Sequence, residues 1–351
     1  MLNYIIAIKK NINKQNQLTM KNLRKLPVLL LIVSLVWSCS NDDDATTPPA
    51  AQPLNIVQTA QATADLSMLV EAVIQTGLVD ALSADGQRTV LAPTNAAFQD
   101  LLDSNMAWNS ISDIDNAILT QVLLNHVIDN ENILSGALAG NTGYRNTLAS
   151  GPGGTNLSIF FNGNAGVTFN GTSNVVSGLA DISTSNGIVH VVDTVIALPT
   201  LLTFATADDT FSSLEASVLL PNQGAVATAL TNATATAPLT VLAPTNAAFT
   251  ALLNSNPAWN GPGDIDDATL TAVLTHHVTA GNVTSGALTN PGTTTAPSVQ
   301  GQDFSITLPG TNGNIADVTD GSNNTDIGII AVDVQASNGV IHAVNKVLLP
   351  M

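Results

Sequence analysis

The chain is poor in three kinds of residue: cysteine, aromatic residues and, beyond its first 25 residues, basic residues. Cys39 is the single cysteine among 351 residues, so the chain cannot form an internal disulfide. Aromatic residues make up only 4% of the sequence, which argues against a ligand site lined with rings. Of the nine Lys and Arg residues six precede residue 26, whereas all 26 acidic residues lie at or after Asp42. Three basic and 26 acidic residues beyond residue 25 give that part a net charge of −23.

This negative charge restricts the classes of partner. It repels a phosphate backbone, so we expect no nucleic-acid binding. It also argues against peripheral docking on anionic lipid headgroups. Solubility outside the cell would explain the charge, and binding of cations or of a basic partner is the alternative.

The first 39 residues are typical of a secretory signal. A basic segment precedes an apolar run over residues 27–37, which is short for a membrane span and ends at Ser38 and Cys39. A cysteine in this place resembles the lipobox of bacterial lipoproteins, which implies lipidation of Cys39 and cleavage before it. An ordinary signal peptide with an incidental cysteine is the alternative. Because Met20 begins a complete signal, we expect translation to start there.

Residues 40–53 are predicted to be a flexible acidic and proline-containing tether. The acidic cluster at residues 40–44 is similar to the surface-export tag of some Gram-negative lipoproteins. That resemblance implies a protein on the outer face of the outer membrane, held there only by its lipid anchor. A solvated spacer without an export role is equally polar.

A stretch of ten residues, TVLAPTNAAF, occurs at residues 89–98 and again, unchanged, at residues 240–249. Identity over ten residues at this spacing indicates a duplicated domain. We therefore predict two domains, at residues 54–199 and 200–351. The connection between them is so short that we expect a fixed or nearly fixed pair.

The repeated stretch predicts a strand, a turn and a helix. Thr89 to Leu91 favour a strand, and Pro93 ends it because proline has no N–H to donate. Thr94 is placed to cap a helix that begins at Asn95. Thr245 and Asn246 repeat this pair in the second copy.

The stretch resembles the first conserved motif of the fasciclin domain. Each copy also ends in a sequence similar to the second signature of that family, at residues 185–190 and 337–342, which include His190 and His342. The resemblance implies an α+β fold in which a β-wedge or sandwich is flanked by helices. It also implies a non-enzymatic role in adhesion or ligand binding.

The hydrophobic pattern places helices first in each copy and an antiparallel sheet after them. A helix is predicted from Asp65, with Ile74 on its apolar face, and another opens the second domain over residues 204–218. Asn-Gly pairs at residues 162–163 and 170–171 predict hairpin turns. A final strand is predicted to alternate its two faces, with His190 on one and Val189 on the other.

The candidate binding residues lie at the end of the third predicted helix of each copy. Asn125-His126 and His276-His277 occupy the place of a Tyr-His motif that is linked to integrin binding in adhesive fasciclin domains. The tyrosine is missing from both copies. Because the neighbours of His126 and His277 are Val and Leu, a buried histidine with a hydrogen-bonded ring is the competing interpretation. We expect a core hydrogen bond for His190 and His342 as well.

No metal, cofactor or catalytic site is predicted. Adjacent helical residues such as His276 and His277 point in different directions, which disfavours a shared zinc ion. Residues 317–326 offer several oxygen ligands, as calcium prefers, but lack the order of an EF-hand, so a polar turn is favoured. A Gly-x-Ser-x-Gly elbow and a phosphate-binding loop are both absent from the sequence.

The sequence therefore predicts a cell-surface adhesion or ligand-binding lipoprotein with two fasciclin domains and no enzymatic activity. Its partner would be an extracellular protein or glycan. Two alternatives remain open: an envelope accessory protein that presents a polysaccharide or protein substrate to an enzyme, and a structural spacer.

Overall fold

Both copies of the repeated stretch form a strand, a short stop and a helix in the computed structural model, which describes residues 52–351. These residues form one unit. The predicted signal peptide, Cys39 and the tether up to residue 51 lie outside the described residues. Within residues 52–351, no helix combines the length and apolar character that a bilayer crossing requires.

Helices make up the first part of the first domain. They are α1 (Ile56–Ala62), α2 (Ser67–Gln75), α3 (Val79–Ser83), α4 (Asn95–Asp103), α5 (Asn116–Asn125) and the single turn α6 (Ser135–Leu138). The helix predicted from Asp65 begins instead as a 3-10 turn, Ala64–Leu66, followed by α2. Ile74 is 59% exposed, so its predicted place on the buried face was wrong.

The strands of the first domain form two sheets. They are β1 (Arg88–Pro93), β2 (Val127–Asp129), β3 (Thr142–Ser150), β4 (Asn156–Asn162), β5 (Thr168–Phe169), β6 (Ser173–Asn174), β7 (Ile182–Thr184) and β8 (Gly187–Val192). One sheet has the order β2-β1-β8-β7 and the other the order β3-β4-β5-β6.

The prediction of an antiparallel sheet was wrong at one pairing in each domain. Strand β8 runs parallel to β1, with Leu91 beside His190. A parallel pair needs a long connection between its strands. Residues 94–186 provide that connection here. The tight turn before β8 sets its direction only relative to β7, its antiparallel neighbour.

The two Asn-Gly pairs behave differently. Asn170 and Gly171 both have positive φ and form the tight turn between β5 and β6, which confirms the hairpin predicted there. Gly163 lies instead in a longer connection, where an added Cβ would come within 1.9 Å of Leu138 O. A hairpin forms there as well, because β4 pairs antiparallel with β5, with Phe161 beside Phe169. The hairpin predicted at residues 162–163 is therefore also confirmed, with a loop of residues 163–167 rather than a two-residue turn.

The second domain repeats the helical layer with α7 (Leu201–Ala207), α8 (Ser212–Val218), α9 (Gly224–Asn232), α10 (Asn246–Leu253) and α11 (Asp267–His276). The single opening helix predicted over residues 204–218 is in fact two helices. They are separated by Asp208 and the 3-10 turn Asp209–Phe211. The Asp208 side chain caps that turn by accepting the N–H of Thr210 over 2.9 Å.

The second domain has one sheet of seven strands. They are β9 (Leu239–Pro244), β10 (Val278–Ala280), β11 (Gly292–Pro297), β12 (Asp303–Leu308), β13 (Ala316–Thr319), β14 (Ile327–Ala336) and β15 (Gly339–Val344). Their order is β10-β9-β15-β14-β13-β12-β11, and β15 runs parallel to β9. The predicted α+β class, with β-structure flanked by helices, is confirmed.

The closing strand separates two hydrophobic clusters in the first domain. Val189 and Val191 pack into the cluster under the helices. Val192, on the opposite face, packs with Leu91 and Phe161 inside the β-wedge. The strand is buried on both faces, and the predicted alternation of its sides is confirmed.

Candidate functional site

The four residues proposed as ligand contacts lie at the ends of α5 and α11. His126 and His277 are C-cap residues, one position beyond the last residue of their helices. All four are 0–2% exposed: Asn125, His126, His276 and His277. A ligand at the surface of this structure cannot contact them.

His126 connects helix α5 to the residues that follow strand β8 through two hydrogen bonds. Its Nδ1 lies 2.7 Å from Val122 O, and the N–H of Ile196 donates to Nε2 over 2.9 Å. Because a carbonyl only accepts and an N–H only donates, Nδ1 carries the proton and the ring is neutral. Burial lowers the pKa of His126 to about 4. The same arrangement, with the same lowered pKa of about 4, joins His277 to Val273 and Leu348.

The residues before these histidines also hold internal segments. The amide of Asn125 donates to the carbonyls of Ile196 and Ala197 over 3.3 and 3.2 Å. His276 lies 3.1 Å from Ser298 Oγ, and its Nε2 accepts the N–H of Gly321 over 3.1 Å. Both contribute to the fold, although the hydrogen bonds differ between the copies.

The histidines of the closing strands bridge backbone groups. His190 Nε2 donates to Ile133 O over 2.8 Å, and its Nδ1 accepts the N–H of Asp181 over 3.2 Å. His342 does the same with Val283 and Asp333, over 2.8 and 3.3 Å. These are the core hydrogen bonds predicted for this pair.

The Thr-Asn pair of the repeated stretch joins two helices. Thr94 is the N-cap of α4, and its hydroxyl accepts the N–H of Ala97 over 3.1 Å. Asn95 reaches the neighbouring helix, where its Oδ1 accepts the N–H of Met68 over 2.9 Å. In the second domain Thr245 and Asn246 form the equivalent bonds to Ala248 and Ser213. The Thr-Asn pair of the repeated stretch therefore stabilises the fold in both domains.

The two domains meet through an aromatic cluster. Phe160 of β4 is buried in the hydrophobic cluster of the second domain, and Tyr144 packs against it. The ring centroid of Tyr144 lies 5.0 Å from that of Phe160 and 5.5 Å from that of Phe204. Its hydroxyl donates to the carboxylate of Asp208 over 2.8 Å. The first domain thus contributes side chains to the core of the second.

A groove of about 840 Å³ lies beside this cluster, with walls from both domains. The first domain supplies β2, the residues after it and β3. The second supplies the bulged part of β14, residues 330–334, and the turn around Asp208. The lining mixes apolar residues such as Ile330 with amides such as Asn146.

The groove is acidic on balance. Arg88 pairs with Asp129 and Arg145 pairs with Glu131, each over 3.1 Å. Asp208 and Asp333 also line the groove, and among residues 52–351 neither has an ion pair with a basic side chain. The groove can therefore offer hydrogen-bond acceptors, amides and apolar surface to a ligand.

The described residues contain no group of three His, Cys, Asp or Glu side chains placed to hold a metal ion. In the loop considered for calcium, the Asp320 carboxylate accepts N–H groups of Asn324 and Leu349 over 2.8 Å. Asp317 accepts from Thr311 and Asn314. These oxygens serve the loop itself, as a polar turn requires.

Sequence reasoning missed Tyr144, Arg145 and Asp208. One signal was available, since Tyr144 and Arg145 are adjacent in a chain that has two tyrosines and few basic residues beyond its leader. Asp208 gave no local sign of its role, because only the packing of the domains brings it to Tyr144.

Comparisons with known proteins agree with the fold. A sequence model of the fasciclin domain matches residues 64–199 and 210–350. An uncharacterized protein of Synechocystis sp., sll1735, is 30% identical over 157 residues, which are 43% of this chain and 98% of that protein. A second Synechocystis protein, sll1483, is 31% identical over 150 residues, which are 42% of this chain and 74% of that protein.

Among solved structures, the chain is similar to a FAS1 domain pair from the insect cell adhesion molecule fasciclin I. The sequence identity is 19% and the TM-score is 0.48. The similarity covers 81% of this chain and 97% of that one.

Proposed function

Because this chain belongs to the fasciclin domain family and carries the domain twice, we propose that it is an adhesion or ligand-binding protein that holds its ligand in the groove between the domains. Fasciclin domains are associated in general with adhesion and ligand binding, and the family is generally non-enzymatic. The ligand is an extracellular protein or glycan. No cofactor takes part.

The groove is the single observation that carries this proposal. Its volume of about 840 Å³ lies within the range of roughly 300–1,000 Å³ that is common for ligand sites. Amides, carboxylates and apolar side chains line it together, so it can satisfy a ligand that has both hydroxyl or amide groups and apolar surface. Because the four residues considered first, Asn125, His126, His276 and His277, are buried, we propose the groove as the binding site in their place.

A blocked groove tests the proposal. Ile330 lines the groove and is 45% exposed, so Ile330→Arg should fill it without disturbing the core. Ile118 is 51% exposed on α5 and lies outside the groove, so Ile118→Arg is a matched control with the same added charge. Residues 52–351 of each protein are applied to a glycan array and to a pull-down from extracellular matrix. We expect Ile330→Arg to capture at least tenfold less ligand than the unchanged protein, and Ile118→Arg to capture the same amount. Equal capture by both variants would place the binding site elsewhere.

We also propose that the protein is anchored to the outer membrane through lipid on Cys39 and faces outward. The basic segment, the short apolar run and the cysteine directly after it support this location. Two or more acyl chains anchor a protein firmly, whereas a single chain binds marginally. Cys39→Ala should release the protein from membranes and remove labelled palmitate from it. Continued labelling of Cys39→Ala would contradict the anchor.

Deletion of residues 1–19 should leave export unchanged if translation starts at Met20.

A further inference from the structure

A cavity of about 180 Å³ lies in the β-wedge of the second domain, away from the groove, and it opens to solvent beside the exposed residues Ala280, Thr295 and Pro297. Strands β9 and β10 form one wall, and β11 and β12 form the other. None of the lining residues is ionisable. Apolar side chains provide most of the surface: Leu242, Val283, Leu288, Ala296, Phe304 and Ile306.

The two buried threonine hydroxyls in this cavity, those of Thr240 and Thr279, already have partners. Thr240 Oγ1 donates to Gly281 O over 2.7 Å and accepts the N–H of Val283 over 2.9 Å. Thr279 Oγ1 donates to Pro297 O over 2.7 Å. A water molecule needs about two to four polar partners to be held in a cavity. This lining therefore favours an apolar occupant over ordered water.

The first domain provides an internal comparison. Thr89 Oγ1 accepts the N–H of Ile133 over 2.8 Å, just as Thr240 accepts that of Val283. Ile133 and Val283 are therefore equivalent. Ile133 is buried in the hydrophobic cluster of the first wedge, and valine is one carbon shorter at the same position.

A second position differs in the same direction. Ile128 pairs with Thr89 across β1 and β2, and Thr279 pairs with Thr240 across β9 and β10. Ile128 is another member of the first hydrophobic cluster, whereas threonine replaces its apolar branch with a hydroxyl. Two side chains that fill the first wedge are thus smaller in the second, on the wall of the cavity.

We propose that this cavity is a binding site for a small, uncharged and largely apolar molecule about the size of one aromatic ring. A dry apolar cavity of about 150 Å³ is large enough to bind benzene, and this one is slightly larger. The absence of ionisable side chains from its walls excludes a charged ligand by the cost of removing the charge from water. The site does not depend on the function proposed for the groove.

Fluorobenzene is a suitable probe, followed by fluorine NMR with residues 52–351, which form one unit with their own hydrophobic clusters. We expect saturable binding to this protein and at least tenfold weaker binding of the charged comparator fluorobenzoate. The double variant Thr279→Ile/Val283→Ile gives the second wedge the side chains of the first and should weaken fluorobenzene binding at least tenfold. Ala296→Leu fills the cavity from the opposite wall and should do the same if the double variant does not fold.

Thr293→Val is the control, because Thr293 lies on β11, is exposed and does not line the cavity. It should bind fluorobenzene as the unchanged protein does. The proposal is wrong if fluorobenzene does not bind saturably, or if fluorobenzoate binds as well. It is also wrong if the folded cavity-filling variants keep their affinity.

Discussion

At the scale of single residues, His126 and His277 make the stability of the two domains depend on pH. Burial lowers their pKa to about 4, from 6.5 for an ordinary histidine. The unfolded chain therefore binds more protons between these values. The free energy of unfolding is therefore highest above about pH 6.5, where these histidines are neutral in both states. It falls by about 3 kcal/mol for each histidine as the pH decreases towards 4.

Urea unfolding at pH 7.5 and pH 4.5 would measure this loss. Burial also lowers the pKa of His276 and His342, so these residues act in the same direction. His126→Gln should be less stable at neutral pH and should show a smaller loss in the first domain on acidification. An unchanged pH dependence in that variant would show that His126 is not the titrating group.

Thr94 leads to a second prediction at this scale. Thr94→Val keeps the shape of the side chain but leaves the N–H of Ala97 without its acceptor. We expect the free energy of unfolding to fall by about 1 kcal/mol, whereas Thr94→Asn keeps an acceptor and should stay near wild type. Thermal melting of both variants measures the difference. A Thr94→Val protein as stable as Thr94→Asn would contradict the role of this cap.

Cap residues and buried histidines were not equally predictable. Thr94 belongs to a local pattern, since a cap acts within three residues of its own position. Asn95 follows it in the pattern, but its partner Met68 lies 27 residues earlier in the chain. The apolar neighbours of His126 indicated burial, but its partner Ile196 lies 70 residues further along the chain. Such a partner is known only once the closing strand is placed.

At the scale of elements, two glycines allow the parallel strands to meet. A Cβ on Gly339 would lie 2.0 Å from Leu239 O, and one on Gly187 would lie 2.3 Å from Arg88 O. Gly339→Ala should therefore push β15 away from β9 and destabilise the second domain by about 1–3 kcal/mol, as overpacking does. Gly286→Ala is the control, because no atom lies within 4 Å of the added Cβ. Equal melting temperatures for the two variants would rule out the close approach.

The direction of β8 and β15 could not be predicted, because their pattern is the same whether they run parallel or antiparallel to a neighbour. The strand of the repeated stretch, its proline stop and the helix behind it could be predicted, because each signal acts within a few residues. The groove could not be predicted from the sequence. Its walls come from β3 and β14, which are far apart in sequence, and its shape depends on how the domains pack.

At the scale of the whole molecule, adjacent side chains of β4 stabilise different domains. Phe160 is buried in the cluster of the second domain, and Phe161 is buried in the wedge of the first. Phe160→Ala should destabilise the second domain by about 3–5 kcal/mol although the mutation lies in the first. Phe161→Ala should act mainly on the first domain. Hydrogen exchange resolved by peptide measures each effect separately. Loss of protection confined to the first domain in Phe160→Ala would contradict a shared core.

The entry of the chain into the first domain determines how the protein would carry tension. Leu54 O accepts the N–H of Ser185, and the N–H of Ile56 donates to Asn186, so the chain is fastened where β8 begins. If the protein is anchored through Cys39 and holds a ligand in the groove, as we propose, a pull between the membrane and that ligand would enter at this point. It would cross the ladder β8-β1-β2 and leave through the residues after β2, which line the groove. The hydrogen bonds of this ladder would then bear the force that the first domain transmits, and the contacts of a ligand with β14 would pass force into the second domain.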